Sequence, residues 1–175
     1  SESTQLGSQL VDLCSVLLLL SCFAIVAQRR LSACVDLFAL QSFFLATTAA
    51  LVAFLTGHRH IYLAAALTVV IKVIVLPRIL RKVIERLNVS RELVMNINIP
   101  AGLLICGGLV VVAFFITQPI IPLGYLLTRD SLALALAIIL IGLFTMIARK
   151  KAVTQMVGFL VMENGVFLGT TAAAY

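Results

Sequence analysis

The sequence has no tryptophan, only four prolines and two histidines, and just 11% charged residues. It has no glycine-rich phosphate loop, no catalytic triad, no haem ligand set and no Cys-x-x-Cys pair. Those absences leave no nucleotide-binding or hydrolytic motif to build on. The cysteines Cys14, Cys22, Cys34 and Cys106 all fall inside apolar runs, with no histidine at ligand spacing. They read as small hydrophobic residues, and no metal or cofactor is expected in this chain. No Gly/Ser- or Pro-rich linker divides the chain, and no basic leader precedes the first run. One domain is expected over residues 1–175, with nothing left for a soluble catalytic lobe.

What is present is hydrophobicity: 62% of the residues are apolar and mean hydropathy is +1.17. A soluble domain of this size has no use for so much apolar surface. The reading is an all-α integral membrane protein with six transmembrane helices, over about 10–27, 31–55, 61–80, 97–121, 131–148 and 152–175. The runs are continuous rather than alternating, which excludes a strand barrel. The net charge of +6 points to topology, not to nucleic acid. Loops one, three and five hold Arg29 and Arg30, then Arg78, Arg81, Lys82, Arg86 and Arg91, then Arg149, Lys150 and Lys151. Loops two and four hold only Arg59 and Arg129. The asymmetry puts the odd loops in the cytoplasm and the N-terminus outside. The stretch from Arg78 to Arg91, with Glu85 and Glu92, reads as an amphipathic helix on a membrane surface or against a partner.

A repeat runs through the chain: Phe44-Leu-Ala-Thr-Thr-Ala-Ala50 and Phe167-Leu-Gly-Thr-Thr-Ala-Ala173 differ only at Ala46 and Gly169. Helices one–two and five–six read as two similar hairpins of the same orientation. Leu40 in the first takes the place of Glu163 in the second.

Glu163 is the residue around which the chain is organised. It lies in a run long enough to cross a hydrocarbon core of ~30 Å, roughly three helical turns from Lys151. A charged carboxylate there costs at least ~2.5–3.5 kcal/mol, so it is either protonated or paired. Its bland role is that of a neutral acid bonded to a neighbouring helix; its functional role is proton handling. Lys72, in Val69-Val-Ile-Lys72-Val-Ile-Val-Leu-Pro77, is the second deep ionisable residue. If Pro77 only kinks the helix, Lys72 is near the middle; if the helix breaks at Leu76, the side chain reaches the interface by snorkelling. Asp36 is either a proton entry point or an interfacial acid paired with Arg29 or Arg30, the second being favoured. Asn164, Gln41, Thr47, Thr48, Thr170 and Thr171 are candidates to hold water or bond across helices. Gly158, Gly165 and Gly169 form a packing face that excludes Glu163. Asp12 reads as a solvated acid at a helix start, and His58-Arg59-His60 as a solvated turn.

Gly158-Phe-Leu-Val-Met162-Glu163-Asn164-Gly165 resembles the M-E-N-G helix of the hydrogenase-4 component E family. Lys72-Val-Ile-Val-Leu-Pro77 resembles that family's K-V-x-x-x-P helix, and Leu40-Gln41-Ser42 is similar to its second-helix pattern. The second half is also similar to the K subunit of complex I: Gly158 and Asn164 keep that pattern. Its acid is displaced, since Leu160 stands where the K subunit places it and Glu163 comes one turn later, ~4.5 Å deeper on the same face. The resemblance implies a non-catalytic membrane-arm subunit of a complex I-like or membrane-bound hydrogenase complex in a bacterial or archaeal cytoplasmic membrane. It implies a polar axis in which Glu163 and Lys72 take part in proton translocation. Nickel–iron and iron–sulfur centres would lie on peripheral redox subunits, with antiporter-like subunits as further partners. It also implies a seventh helix beyond Tyr175. The competing expectations are a structural spacer of the same complex and a stand-alone oligomeric secondary transporter, which the repeat favours.

Overall fold

The structure, a computed structural model, describes residues 2–86, 98–119 and 126–173. The described residues are helical throughout, with no strand, and form six helices: α1 (Glu2–Ala27), α2 (Leu31–Thr56), α3 (Arg59–Arg86), α4 (Ile99–Thr117), α5 (Leu126–Ala148) and α6 (Ala152–Ala173). Each contains a stretch long and apolar enough to cross a membrane. Most are apolar all round, a composition compatible with a multi-pass membrane protein. Large side chains such as Phe54, Leu104, Phe115 and Ile147 accordingly point outward.

Helices α1, α2, α6 and α5 form a ring, each packed on the next; α3 lies outside against α2, and α4 outside against α5 and α1. The two similar hairpins thus make the centre and the unrepeated helices flank it. Leu18, Ile25, Phe38, Leu45, Ile138, Ile141, Val157 and Leu168 fill the ring. A second cluster, Val11, Ala49, Val52, Ala53, Ile61 and Ala65, joins α1, α2 and α3 near the α2–α3 turn. That turn is possible because Gly57 takes a left-handed φ of 73°, and its N–H closes on the Ala53 carbonyl at 2.9 Å.

Several ends differ from the hydropathy reading. Helix α1 begins at Glu2, two turns before the apolar run, so Asp12 is an exposed residue on its third turn rather than a helix-start acid. Helix α5 begins at Leu126, not at Ser131. Helix α3 neither breaks at Leu76 nor ends at Leu80. It passes Pro77 and carries the basic stretch, as far as it is described, as its own strongly amphipathic end, Leu76–Arg86. Arg91, Glu92 and Ile120–Pro122 lie outside the described residues. The exposed His58 closes the turn before α3, and His60 sits exposed in its first turn.

Passing Pro77 requires a change of helix type. Proline has no N–H to give to a carbonyl one turn back. Residues Val69–Val75 adopt the wider π form, and the Leu76 N–H reaches back to Ile71. Such turns are uncommon and frequently sit at functional sites; this one contains Lys72.

Candidate functional site

Three helices bring polar groups to mid-length: Gln41 of α2, Lys72 of α3 and the neighbours Glu163 and Asn164 of α6. Consecutive helical residues point about 100° apart, so one can face the bundle while the other faces out. Asn164 is 1% exposed, whereas the Glu163 side chain is 49% exposed. The buried Lys72 lies between them, its Nζ 3.0 Å from Asn164 Oδ1 and 3.6 Å from Glu163 Oε1. The same ammonium is 5.6 Å from the centre of the Phe167 ring, one turn beyond Glu163, within cation–π reach. The two deep ionisable residues therefore meet, and each reduces the cost of the other's charge in an apolar setting.

Inward from Lys72 the direction of every hydrogen bond follows from what each group can do. Lysine only donates, so the Asn164 oxygen faces it and the Asn164 NH₂ points away. That NH₂ donates to Gln41 Oε1 at 3.0 Å and Ser42 Oγ at 3.3 Å. Gln41 in turn donates to the Leu18 carbonyl at 3.3 Å and to Cys22 Sγ at 2.9 Å, and Ser42 donates to the Phe38 carbonyl at 2.9 Å. Among the described residues no buried side-chain nitrogen or oxygen lacks a partner. The amides fix Lys72 in place but neither gains nor loses protons themselves. Lys72 and Glu163 are the charged members of the cluster, and Glu163 is the one open to the outside of the bundle.

Asp36 belongs elsewhere. Its partner is Arg81 of α3, in an exposed ion pair, and not Arg29 or Arg30. The reason is the continuation of α3 past Pro77, which brings Arg81 beside α2. Asp36 is five residues from Gln41, about 7.5 Å along the helix, and no hydrogen bond among the described residues joins it to the Lys72 cluster. Thr47, Thr48, Thr170 and Thr171 each donate to the carbonyl four residues back in their own helix, and Thr48 also meets Cys14 of α1, a hydrogen bond across helices of the kind expected.

The support behind Glu163 and Asn164 is a close contact of α6 with α5. A Cβ on Gly158 would meet Met146 N at 2.9 Å, and one on Gly165 would meet Ile139 N at 2.9 Å. Gly169 is looser, its Cβ lying at an ordinary 3.5 Å from Ala135. The reciprocal partner is Gly142 of α5, where a Cβ would sit 2.7 Å from Met162 N. The sequence reading overlooked Gly142, although its glycine-in-apolar-run pattern matches that of Gly158.

Arg149 was also overlooked as one more loop cation. It is buried, and its Nη2 donates to the carbonyls of Ile25 at 3.2 Å, Val26 at 3.0 Å and Gln28 at 3.3 Å. They lie at the end of α1, where carbonyls run short of N–H partners, although the Ile25 carbonyl also accepts the Gln28 N–H at 3.2 Å. Burial lowers the Arg149 pKa from the ordinary arginine value, with Cys34 opposing; a guanidinium remains charged all the same. Among the described residues no three His, Cys, Asp or Glu side chains gather as a metal site.

The uncharacterized protein Rv0085 of Mycobacterium tuberculosis (strain ATCC 25618 / H37Rv) is 34% identical to this chain over 160 residues, which cover 91% of this chain and 73% of the relative. No family model matches the chain. No solved structure matches it.

Proposed function

We propose, for a chain that belongs to the family of the M. tuberculosis protein Rv0085, a role as a non-catalytic membrane-arm subunit of a complex I-like or membrane-bound hydrogenase complex. In this reading the helices cross the membrane, and the Glu163–Lys72 pair takes part in moving protons while partner subunits transfer electrons. The observation that carries it is the 3.6 Å pair at mid-helix, with Lys72 held by Asn164 at 3.0 Å. Intramembrane ionisable residues that pair with one another commonly mark proton relays. The resemblance of the Met162–Gly165 and Lys72–Pro77 segments to the hydrogenase-4 component E family supplies the type of complex. Nickel–iron and iron–sulfur centres belong, on this reading, to the partners.

The test has two steps. Gentle purification of the tagged protein from its native membrane should bring down redox subunits with iron–sulfur centres, and nickel if the host is a hydrogenase. In sealed vesicles of that complex, Glu163→Gln should leave electron transfer near wild type and reduce proton translocation by about tenfold or more. Unchanged proton-to-electron stoichiometry would leave a spacer role instead. A second reading, a stand-alone oligomeric secondary transporter, draws on the ring of paired hairpins; a clean homo-oligomer with no bound redox subunit would favour it.

A further inference from the structure

The amphipathic end of α3 presents a surface with two chemistries in line. Val75, Ile79, Lys82 and Arg86 recur at helical spacing and are all exposed. Lys82 and Arg86 lie about 15 and 21 Å along the helix from Lys72 at 1.5 Å per residue. Half of a hydrocarbon core is ~15 Å. With the Lys72–Glu163 pair near the midplane, Val75 and Ile79 fall at acyl-chain depth, while Lys82 and Arg86 fall at headgroup depth. Arg78 is exposed beside them, and among the described residues Arg78, Lys82 and Arg86 have no carboxylate within ion-pair distance.

Beside this stripe, between the start of α2 and the end of α3, is a cavity of about 310 Å³ lined by Leu31, Ser32, Arg81, Ile84 and Glu85. The Arg81–Asp36 pair ties its two walls together. Ser32 and Arg81 offer donors, and Leu31 and Ile84 an apolar floor. Glu85 disfavours a doubly charged ligand there. A phosphodiester carries one negative charge, and its attached chains match the apolar half of the stripe.

We propose that this surface is a binding site for an anionic phospholipid, the phosphodiester headgroup held by Lys82, Arg86 and Arg81 and an acyl chain lying along Ile79 and Val75. The union of an apolar strip with a basic end on one helix fits a lipid better than an acidic soluble protein, which has no use for the apolar half. The site rests on the membrane-spanning reading of the helices and not on proton movement: Glu163→Gln should keep it intact, so the two proposals fail separately.

The experiment measures the thermal stability of the full chain in neutral detergent while phosphatidylglycerol, phosphatidylcholine or inorganic phosphate is titrated in. Phosphatidylglycerol should stabilise saturably at concentrations where the other two do little, and added salt should weaken its effect. Each cation removed should weaken phosphatidylglycerol by about fivefold, so Lys82→Gln with Arg86→Gln should lose about 25-fold. Ile79→Ser should weaken it as well. Equal stabilisation by phosphatidylcholine, equal stabilisation by inorganic phosphate, or an unaltered double variant would each overturn the site. If the double variant does not fold, the headgroup and salt comparisons on the wild type still decide. A lack of lipid preference would leave the basic end to an acidic protein partner and end the proposal.

Discussion

The two hairpins at the centre invite comparison. Aligning Phe44 with Phe167 puts Leu40 opposite Glu163 and Gln41 opposite Asn164. The structure treats these equivalent positions alike. Gln41 and Asn164 both turn inward and bond to each other at 3.0 Å, while Leu40 and Glu163 both turn outward, 46% and 49% exposed. Only one outward position is ionisable, and α3 sets Lys72 beside it. The hairpins also close differently. In α5–α6, glycines let the backbones approach; α1 and α2 are joined by side chains, with Gln41 on the Leu18 carbonyl and Cys34 Sγ 3.7 Å from the Ile25 carbonyl. One scaffold thus serves twice, and the residue at the outward position, Leu40 or Glu163, decides which copy carries the acid.

The sharpest way to break this symmetry is at the glycines. Gly142→Leu would press a side chain onto the α6 backbone and should cost about 3 kcal/mol or more, visible as lost yield of monodisperse protein in detergent. Gly7→Ala in the first hairpin should be mild by the same measure, since the nearest atoms belong to the flexible Leu55 side chain. Next comes the acid. Leu40→Glu places a carboxylate on the first hairpin while Lys72 is already held by Asn164 and Glu163, and should lower the melting temperature by the equivalent of about 2.5–3.5 kcal/mol. Combined with Glu163→Gln, it should not restore proton movement. If it did, the position of Lys72 would not be what distinguishes the hairpins.

Arg149 offers a comparison with Arg30 of the other basic turn. Arg149→Gln removes three hydrogen bonds to the end of α1 and should cost about 1.5–3 kcal/mol. The exposed Arg30→Gln should stay within about 0.5 kcal/mol in the same thermal assay. A smaller effect than at Arg149 is expected at the centre. Gln41→Leu leaves Asn164 bonded to Ser42 and should cost about 1 kcal/mol.

The helices were legible because each is an unbroken apolar run of membrane-crossing length. Glu163 and Lys72 stood out because charge is costly in such runs. Their meeting was not legible, since it depends on the rotation of α3 about its axis and on α2 holding α3 beside α6. The ends of α1 and α5 were missed because hydropathy ignores polar helical turns such as Glu2–Gln9. Asp36 was given the nearest cations in sequence, whereas a long helix folded back supplied Arg81 from 45 residues away. Arg149 looked like its neighbours Lys150 and Lys151, and no local pattern says which of three adjacent cations turns inward.

The π segment before Pro77 acts as a shim in the shaft of α3. A residue added within a helix turns everything beyond it by about 100° relative to what came before. Val69–Val75 therefore sets the phase between two halves that answer to different neighbours: Lys72 toward Asn164, and Leu80 and Arg81 toward α2. Deleting one residue there while keeping Lys72 and Pro77 would leave both halves helical and either half correctly aimed, but not both. The mid-helix ion pair and the basic end could then no longer be satisfied by the same rotation of the helix.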